Sequence, residues 1–247
     1  MDSINIVSAF QDRWKPAVRV FKDRTDAGIQ LGNKLIQQYG DSLFNSVVLG
    51  CARGGLVVAE QVARMLGATL DVIVCRKISH PDNKELGVGA IGEDGEAFFI
   101  PAIINRCKLD IASRKMKNLR LKELKELNRR KLFYRGGKER PTLKNRTVVI
   151  VDDGMASGAT VEAALRTVRK DKPKRIIIAQ PISSPRSVQE FIVRTDLNPC
   201  DICIDFYATP APGQFWDIDD SFCDFSEVSH LRVCEILWVN NPMYLKQ

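Results

Sequence analysis

VVIVDDGMASGAT, residues 148–160, places four β-branched apolar side chains, two adjacent acids and a run of small residues with two hydroxyls in thirteen consecutive positions. The apolar run has the length and composition of a buried strand, and the small residues after it turn the chain tightly into a helix start. Strand, turn and helix in this order build α/β folds around a mostly parallel sheet. Ligands of such folds collect at the carboxyl ends of the strands, which is where this stretch puts its acids.

The residue types fit one chemistry. Asp152 and Asp153 only accept hydrogen bonds when ionised, which suits the paired hydroxyls of a sugar, met directly or through a hydrated Mg²⁺. Gly154 and Gly158 allow backbone angles that other residues resist, and Ala156 and Ala159 leave the turn bare enough for its N–H groups to reach a phosphate. Ser157 and Thr160 add hydroxyl donors where a helix over 160–170 presents its positive dipole end. Acids on the sugar and amides on the phosphate make one cradle. The plainer alternative is that DDG marks a strand-to-helix turn and ASGAT caps the helix.

The rest of the chain alternates in the same way. The pattern predicts helices over 23–39, 56–66 and 185–194, and strands over 46–50, 70–75, 147–151, 175–180 and 202–207. The resulting fold class is α/β, a mostly parallel Rossmann-like sheet with helices on both faces. Directly after the first apolar strand stands Arg53-Gly54-Gly55, where two glycines free backbone N–H groups to approach an anion and the arginine offers a fork to phosphate oxygens. Arg76 and Lys77 follow the next strand. Paired cations there either meet an anionic partner or snorkel to water.

Composition bounds the remaining possibilities. A chain of 247 residues with 45% hydrophobic content builds a sizeable core and reads as one domain over 1–247, with a core and hood over 21–226 and a loosely held arm over 1–20. No charged-then-apolar leader, membrane-length apolar run or regular cysteine framework is visible among the seven cysteines, so the expectation is a reduced, cytoplasmic protein with no membrane partner. Cys203 falls in CICIDFY, whose period is that of a buried strand rather than a zinc site. Charge is uneven: residues 106–146 hold 16 Lys or Arg against 4 Asp or Glu, and the rest of the chain is net −5 within a total of +7. This basic helical insertion, over 102–146, reads as a solvated helix face, as a surface that steers a polyanionic substrate, or as a nucleic-acid contact. Its poor aromatic content weighs against nucleic acid.

With these residues in view, the chain over about 21–226 resembles the type I phosphoribosyltransferases, in particular a bacterial and archaeal group. That group carries RGG (Arg53, Gly54, Gly55), RK (Arg76, Lys77), EL-x-x-GA-x-x-EDG (Glu85, Leu86, Gly89, Ala90, Glu93, Asp94, Gly95), YRGG over 134–137, and the DDG-x-A-[ST]-GAT loop. The resemblance implies transfer of a 5-phosphoribosyl group from phosphoribosyl diphosphate (PRPP) with Mg²⁺ to a nitrogen acceptor, with release of pyrophosphate. It assigns the ribose and metal to Asp152 and Asp153. The 5′-phosphate falls to Gly154, Ala156, Ser157, Gly158, Ala159 and Thr160, and the pyrophosphate to Arg53, Gly54, Gly55, Arg76 and Lys77. A homodimer is also implied, although nothing in the sequence itself displays one.

A flexible β-hairpin flap is expected over 78–100, with Gly87, Gly89 and Gly92 as hinges and with Lys84 and Glu85 either as catalytic groups for pyrophosphate and the acceptor proton or as ordinary loop charges. Most members of the group carry proline where this chain has Lys84. A small carboxyl-terminal hood brings Tyr207, Phe215 and Trp216 against a flat acceptor, or else these aromatics seal the sheet end; Asp217 or Asp219 could read the acceptor's amino edge. Ala156 stands where 6-oxopurine enzymes usually place an aspartate, which disfavours a 6-oxopurine among nucleobase acceptors. The alternative function is a PRPP-sensing regulator that touches RNA without turnover.

Overall fold

The computed structural model of the chain describes residues 15–16, 20–198, 201–209 and 217–241. Its strands are β1 (Lys15–Pro16), β2 (Val47–Cys51), β3 (Thr69–Ile73), β4 (Arg76–His80), β5 (Asn83–Ile91), β6 (Ala97–Phe99), β7 (Thr147–Val151), β8 (Arg175–Ser183) and β9 (Ile202–Thr209). The α-helices are α1 (Arg24–Tyr39), α2 (Gly54–Leu66), α3 (Pro101–Cys107), α4 (Arg114–Arg135), α5 (Ala159–Lys170), α6 (Pro185–Thr195) and α7 (His230–Asn240).

Six strands pair in parallel in the order β1-β9-β8-β7-β2-β3, while β4, β5 and β6 form a separate antiparallel sheet. Because strand side chains alternate between faces, the apolar run of β7 serves both. Val149 and Val151 pack with Leu31, Leu35, Leu56 and Val62 of α1 and α2. Val148 and Ile150 pack with Val161, Leu165, Val168 and Phe191 of α5 and α6. Covering both faces buries the four β7 residues Val148, Val149, Ile150 and Val151 completely, at 0% exposure each.

Several boundaries differ from the sequence pattern. The second strand of the pattern ends at Ile73 rather than at position 75, and α2 starts at Gly54 rather than position 56, so the two glycines lie inside its first turn. The basic helical insertion consists of two helices. The chain breaks after α3 at Lys108, in the left-handed conformation, and Ser113 caps α4 by accepting from the Met116 amide. Met116 and Leu127 are buried, and Leu109, Leu119 and Leu124 pack against the same core. The stretch beyond β4 is more firmly built than a two-strand flap. Val88, Ala90, Ile91 and Phe98 are core residues, and a β-carbon on Gly89 would lie 2.1 Å from the Phe98 carbonyl oxygen. That glycine is there for close packing, not for hinging. Of the arm, only Lys15 and Pro16 before residue 20 are described, paired to the end of β9. Among the described residues no helix is long and apolar enough to cross a membrane.

Candidate active site

The pairing of β2 with β7, from Val47 opposite Val148 to Gly50 opposite Val151, brings the two strand ends side by side. The Arg53-Gly54-Gly55 start of α2 therefore rests on Asp152 and Asp153. A β-carbon on Gly54 would stand 2.0 Å from Asp153 Oδ2, and one on Gly55 would stand 2.6 Å from Asp152 Oδ1 and 2.7 Å from its Cα. Only glycine admits this approach. The Ala52–Arg53 peptide that joins strand to helix is cis.

The two acids are held differently. Asp153 Oδ2 accepts from Arg24 Nε at 2.8 Å, while Arg24 also donates to the Ser226 carbonyl at 2.8 Å and lies 3.6 Å over the Phe225 ring. Asp152 Oδ1 accepts from the Asp153 amide at 3.0 Å. Burial first, and the neighbouring Asp153 charge second, hold the Asp152 carboxyl well above its ordinary value of 3.8. Burial likewise pushes the Cys51 thiol up, with Asp152 adding to the effect, so this thiol stays protonated and unreactive.

The turn after the acids is anchored from behind. The Met155 amide donates to the Ile182 carbonyl at 2.9 Å, and Ser183 Oγ donates to the Met155 carbonyl at 2.9 Å. Gly158 has φ of +70°, and its missing side chain leaves room for Phe191. Gly154 keeps an ordinary φ, which corrects the reading that it was chosen for backbone freedom. What it provides is space, since a β-carbon there would lie 2.6 Å from Ile218 Cγ2 of the hood. Ala156 and Ser157 are exposed at the start of α5, whose dipole favours an anion.

Asp152, Asp153, Gly154, Ala156, Ser157, Gly158, Ala159 and Thr160 all line one cavity of about 880 Å³. Lys77, Leu86 and Gly87 of the small sheet close one side of it, and Asp217 and Ile218 of the hood another. Ser184 and Ser187 at the start of α6, and Ile103 of α3, complete the wall. Sequence reasoning missed Ser184, Ser187, Leu86 and Ile103 as wall residues, and Arg24 as the partner of Asp153. Their types carry no distinctive signal.

Among the described residues, Arg53, Arg76 and Lys84 are not part of that wall. Arg76 turns to the insertion, donating through Nε and a terminal nitrogen to Glu123 Oε2 at 2.8 and 2.6 Å. Arg53 is paired with Glu227, beyond the hood. Lys84 is exposed on β5 and Glu85 is the next residue of that strand. Tyr207 lies on β9, its backbone opposite Ser183. Phe215 and Trp216 lie outside the described residues. Glu93 and Arg135, from the EDG and YRGG motifs, form a buried ion network. Arg135 meets Glu93 and also Asp71, at 3.3 Å, while Glu93 Oε2 accepts the Val74 amide at 3.0 Å. Asp94 pairs with Lys170 at 2.6 Å. These motif residues fasten the small sheet and the insertion to β3 and α5.

For a divalent cation the donor set is two adjacent carboxylates on the cavity wall, hard oxygen ligands of the kind Mg²⁺ accepts while retaining water. Among the described residues no group of three His, Cys, Asp or Glu is placed to hold an ion unaided. The residues thus fit a cation shared with the oxygens of a bound ligand, with Asp152 and Asp153 as the protein's share. Cys203 is a buried β9 residue, in keeping with its structural reading.

The chain matches the family model for the phosphoribosyl transferase domain over residues 23–192. Two Mycobacterium tuberculosis proteins, from strains CDC 1551 and H37Rv, bear a provisional phosphoribosyl transferase name. Each is 38% identical over 220 residues, covering 89% of this chain and 47% of its own. The chain spans about half the length of these curated relatives. A crystal structure from Thermus thermophilus superposes with a TM-score of 0.68 at 35% identity, covering 90% of this chain and 99% of that one.

Proposed function

The chain belongs to the phosphoribosyl transferase domain family, and from that premise we propose that it transfers a 5-phosphoribosyl group from PRPP to a nitrogen acceptor and releases pyrophosphate. The observation that carries this reading is the convergence of an adjacent acid pair and a bare helix-start loop on one cavity wall.

In the proposed reaction Asp152 and Asp153 accept hydrogen bonds from the ribose hydroxyls, and the loop over 156–160 holds the 5′-phosphate by its amides and by the hydroxyls of Ser157 and Thr160. Mg²⁺, when bound, neutralises part of the pyrophosphate charge; Asp152 and Asp153 are the residues to hold it. Lys77, which lines the same cavity, faces the departing pyrophosphate together with the Arg53, Gly54 and Gly55 turn. Arg76 joins them by exchanging its Glu123 contact for phosphate oxygens. The bond from the anomeric carbon to pyrophosphate breaks as the acceptor nitrogen attacks, so positive charge builds on the sugar ring. The protein's work is to orient both partners, to exclude water, and to place carboxylates beside that charge.

Glu85 is assigned to the acceptor proton and Lys84 to the leaving group, on the strand that supplies Leu86 and Gly87 to the cavity wall. The acceptor proposed is a nucleobase other than a 6-oxopurine, because Ala156 offers no carboxylate, with Tyr207, Phe215 and Trp216 against its ring. A cytoplasmic homodimer completes the proposal.

The test is pyrophosphate release from PRPP with Mg²⁺ across a panel of bases and amines, run beside Asp153→Asn. Turnover with one acceptor, lost in the variant at unchanged fold, is the outcome anticipated; equal turnover in the variant would refute the ribose contact. PRPP binding with no turnover on any acceptor would support the sensing role instead.

A further inference from the structure

Glu162, in the first turn of α5, is a fully buried carboxylate that the proposed chemistry does not use. It holds two guanidinium groups. Arg166 donates to its Oε1 at 3.0 and 2.7 Å, and Arg194, from the last turn of α6, donates to its Oε2 through Nε. Arg194 then reaches past Glu162, donating from a terminal nitrogen to the Ser157 carbonyl oxygen at 3.0 Å. Arg194 is also stacked near Phe191, the ring that fills the space left by Gly158.

The consequence follows from peptide geometry. The Ser157–Gly158 peptide is trans, so its carbonyl and its N–H point in opposite directions within one plane. Ser157 and Gly158 line the cavity and Arg194 does not. A carbonyl pinned toward Arg194 therefore leaves the Gly158 N–H directed away from Arg194, in a peptide whose two residues both line the cavity. Were that unit to rotate, a carbonyl oxygen would face the anion instead, exchanging attraction for repulsion. Because residue 158 is glycine, here at φ +70°, no β-carbon restricts rotation of this unit unless something else holds it.

Building on the phosphoribosyl transfer reading, we propose that Arg194, oriented by Glu162, is a positioning residue that fixes the phosphate-loop peptide with its amide toward the 5′-phosphate of PRPP. It touches neither substrate nor reacting atoms. Its effect is to remove a rotational choice before the donor arrives, so it acts on donor affinity more than on the chemical step.

The experiment compares wild type with Arg194→Lys and with the paired variant Glu162→Gln/Arg194→Met, which avoids a buried unpaired carboxylate and so keeps the fold testable. The KM for PRPP should rise tenfold or more in the paired variant and less in Arg194→Lys, with kcat and the acceptor KM within about threefold of wild type. In a titration with inorganic phosphate followed by backbone amide NMR, the Gly158 resonance should shift in wild type and stay in place in the paired variant. An unchanged PRPP KM in a folded paired variant, or an equal Gly158 response, overturns the clamp while leaving the function standing. Failure of the wild-type protein to engage PRPP with Mg²⁺ removes the functional reading and the clamp with it.

Discussion

Gly54 stands so close to Asp153 that a β-carbon on it would lie 2.0 Å from the carboxylate Oδ2 and 2.6 Å from the Nε of Arg24. The start of one helix and the acid at the end of a neighbouring strand are thus a single packed unit. Gly54→Ala sets two effects against each other. Alanine improves helix propensity by up to about 1 kcal/mol, whereas forcing a methyl into a filled space costs about 1–3 kcal/mol. The clash wins because the displaced groups are a salt-bridged pair with only 11% and 17% side-chain exposure. The variant should lose about 1–2 kcal/mol of stability in denaturant titration and at least about tenfold in kcat/KM, a loss of roughly 1.4 kcal/mol of transition-state binding. Wild-type kinetics in Gly54→Ala would show that the acid tolerates movement.

The two acids also set a pH dependence. Burial and the Asp153 charge raise the folded-state pKa of Asp152 above 3.8. The folded protein then binds more protons than the unfolded chain between 3.8 and that raised value, so this group's contribution to stability falls as pH rises through the window. Asp152→Asn removes the titration. It should raise Tm at neutral pH, by roughly 2–4 °C for each kcal/mol recovered, and the gain should vanish as pH falls toward 3.8. Activity should be lost at every pH. A Tm difference that grows on acidification would contradict the assignment.

Glu123 of α4 holds Arg76 by two hydrogen bonds outside the cavity wall. With both side chains partly exposed, at 25% and 16%, the pair is worth about 1 kcal/mol or less. Glu123→Gln should leave Tm within a few degrees of wild type while lowering the KM for PRPP severalfold, because the competing carboxylate is gone. A raised KM would mean that Glu123 orients Arg76 for the donor rather than withholding it.

Arg135 is a different kind of pair. At 4% side-chain exposure it meets Asp71 at 0% and Glu93 at 5%. Arg135→Met strands two buried carboxylates, a loss of about 3–5 kcal/mol and a fall in Tm of roughly 10 °C or more. Thermal unfolding of the variant measures it; a wild-type Tm would mean that this buried network contributes nothing to stability.

What could be read from the chain in advance differed by kind of signal. Val148 to Val151 declared a strand because four β-branched residues in a row have few other uses, and the following acids and small residues declared a site because their chemistry is local. Glu93 and Arg135 belong to motifs as recognisable as DDG, yet nothing in their spacing separates a lock from a catalytic group. Asp71 and the Val74 amide, which make them a lock, are supplied by β3 and the residue just beyond it. Arg24 and Arg194 left no trace in the pattern, being ordinary charges at helix ends.

The sequence by itself determined the strand-and-turn units and which strand end carries the acids, because backbone propensity, side-chain periodicity and glycine tolerance act over a few residues. Only the tertiary structure decided which arginine neutralises Asp153, which pins the Ser157 carbonyl, and which is drawn off by Glu123. Those pairings join residues distant in the chain, and their energies depend on burial and on separations of about 3 Å that exist only once the sheet has brought the elements together.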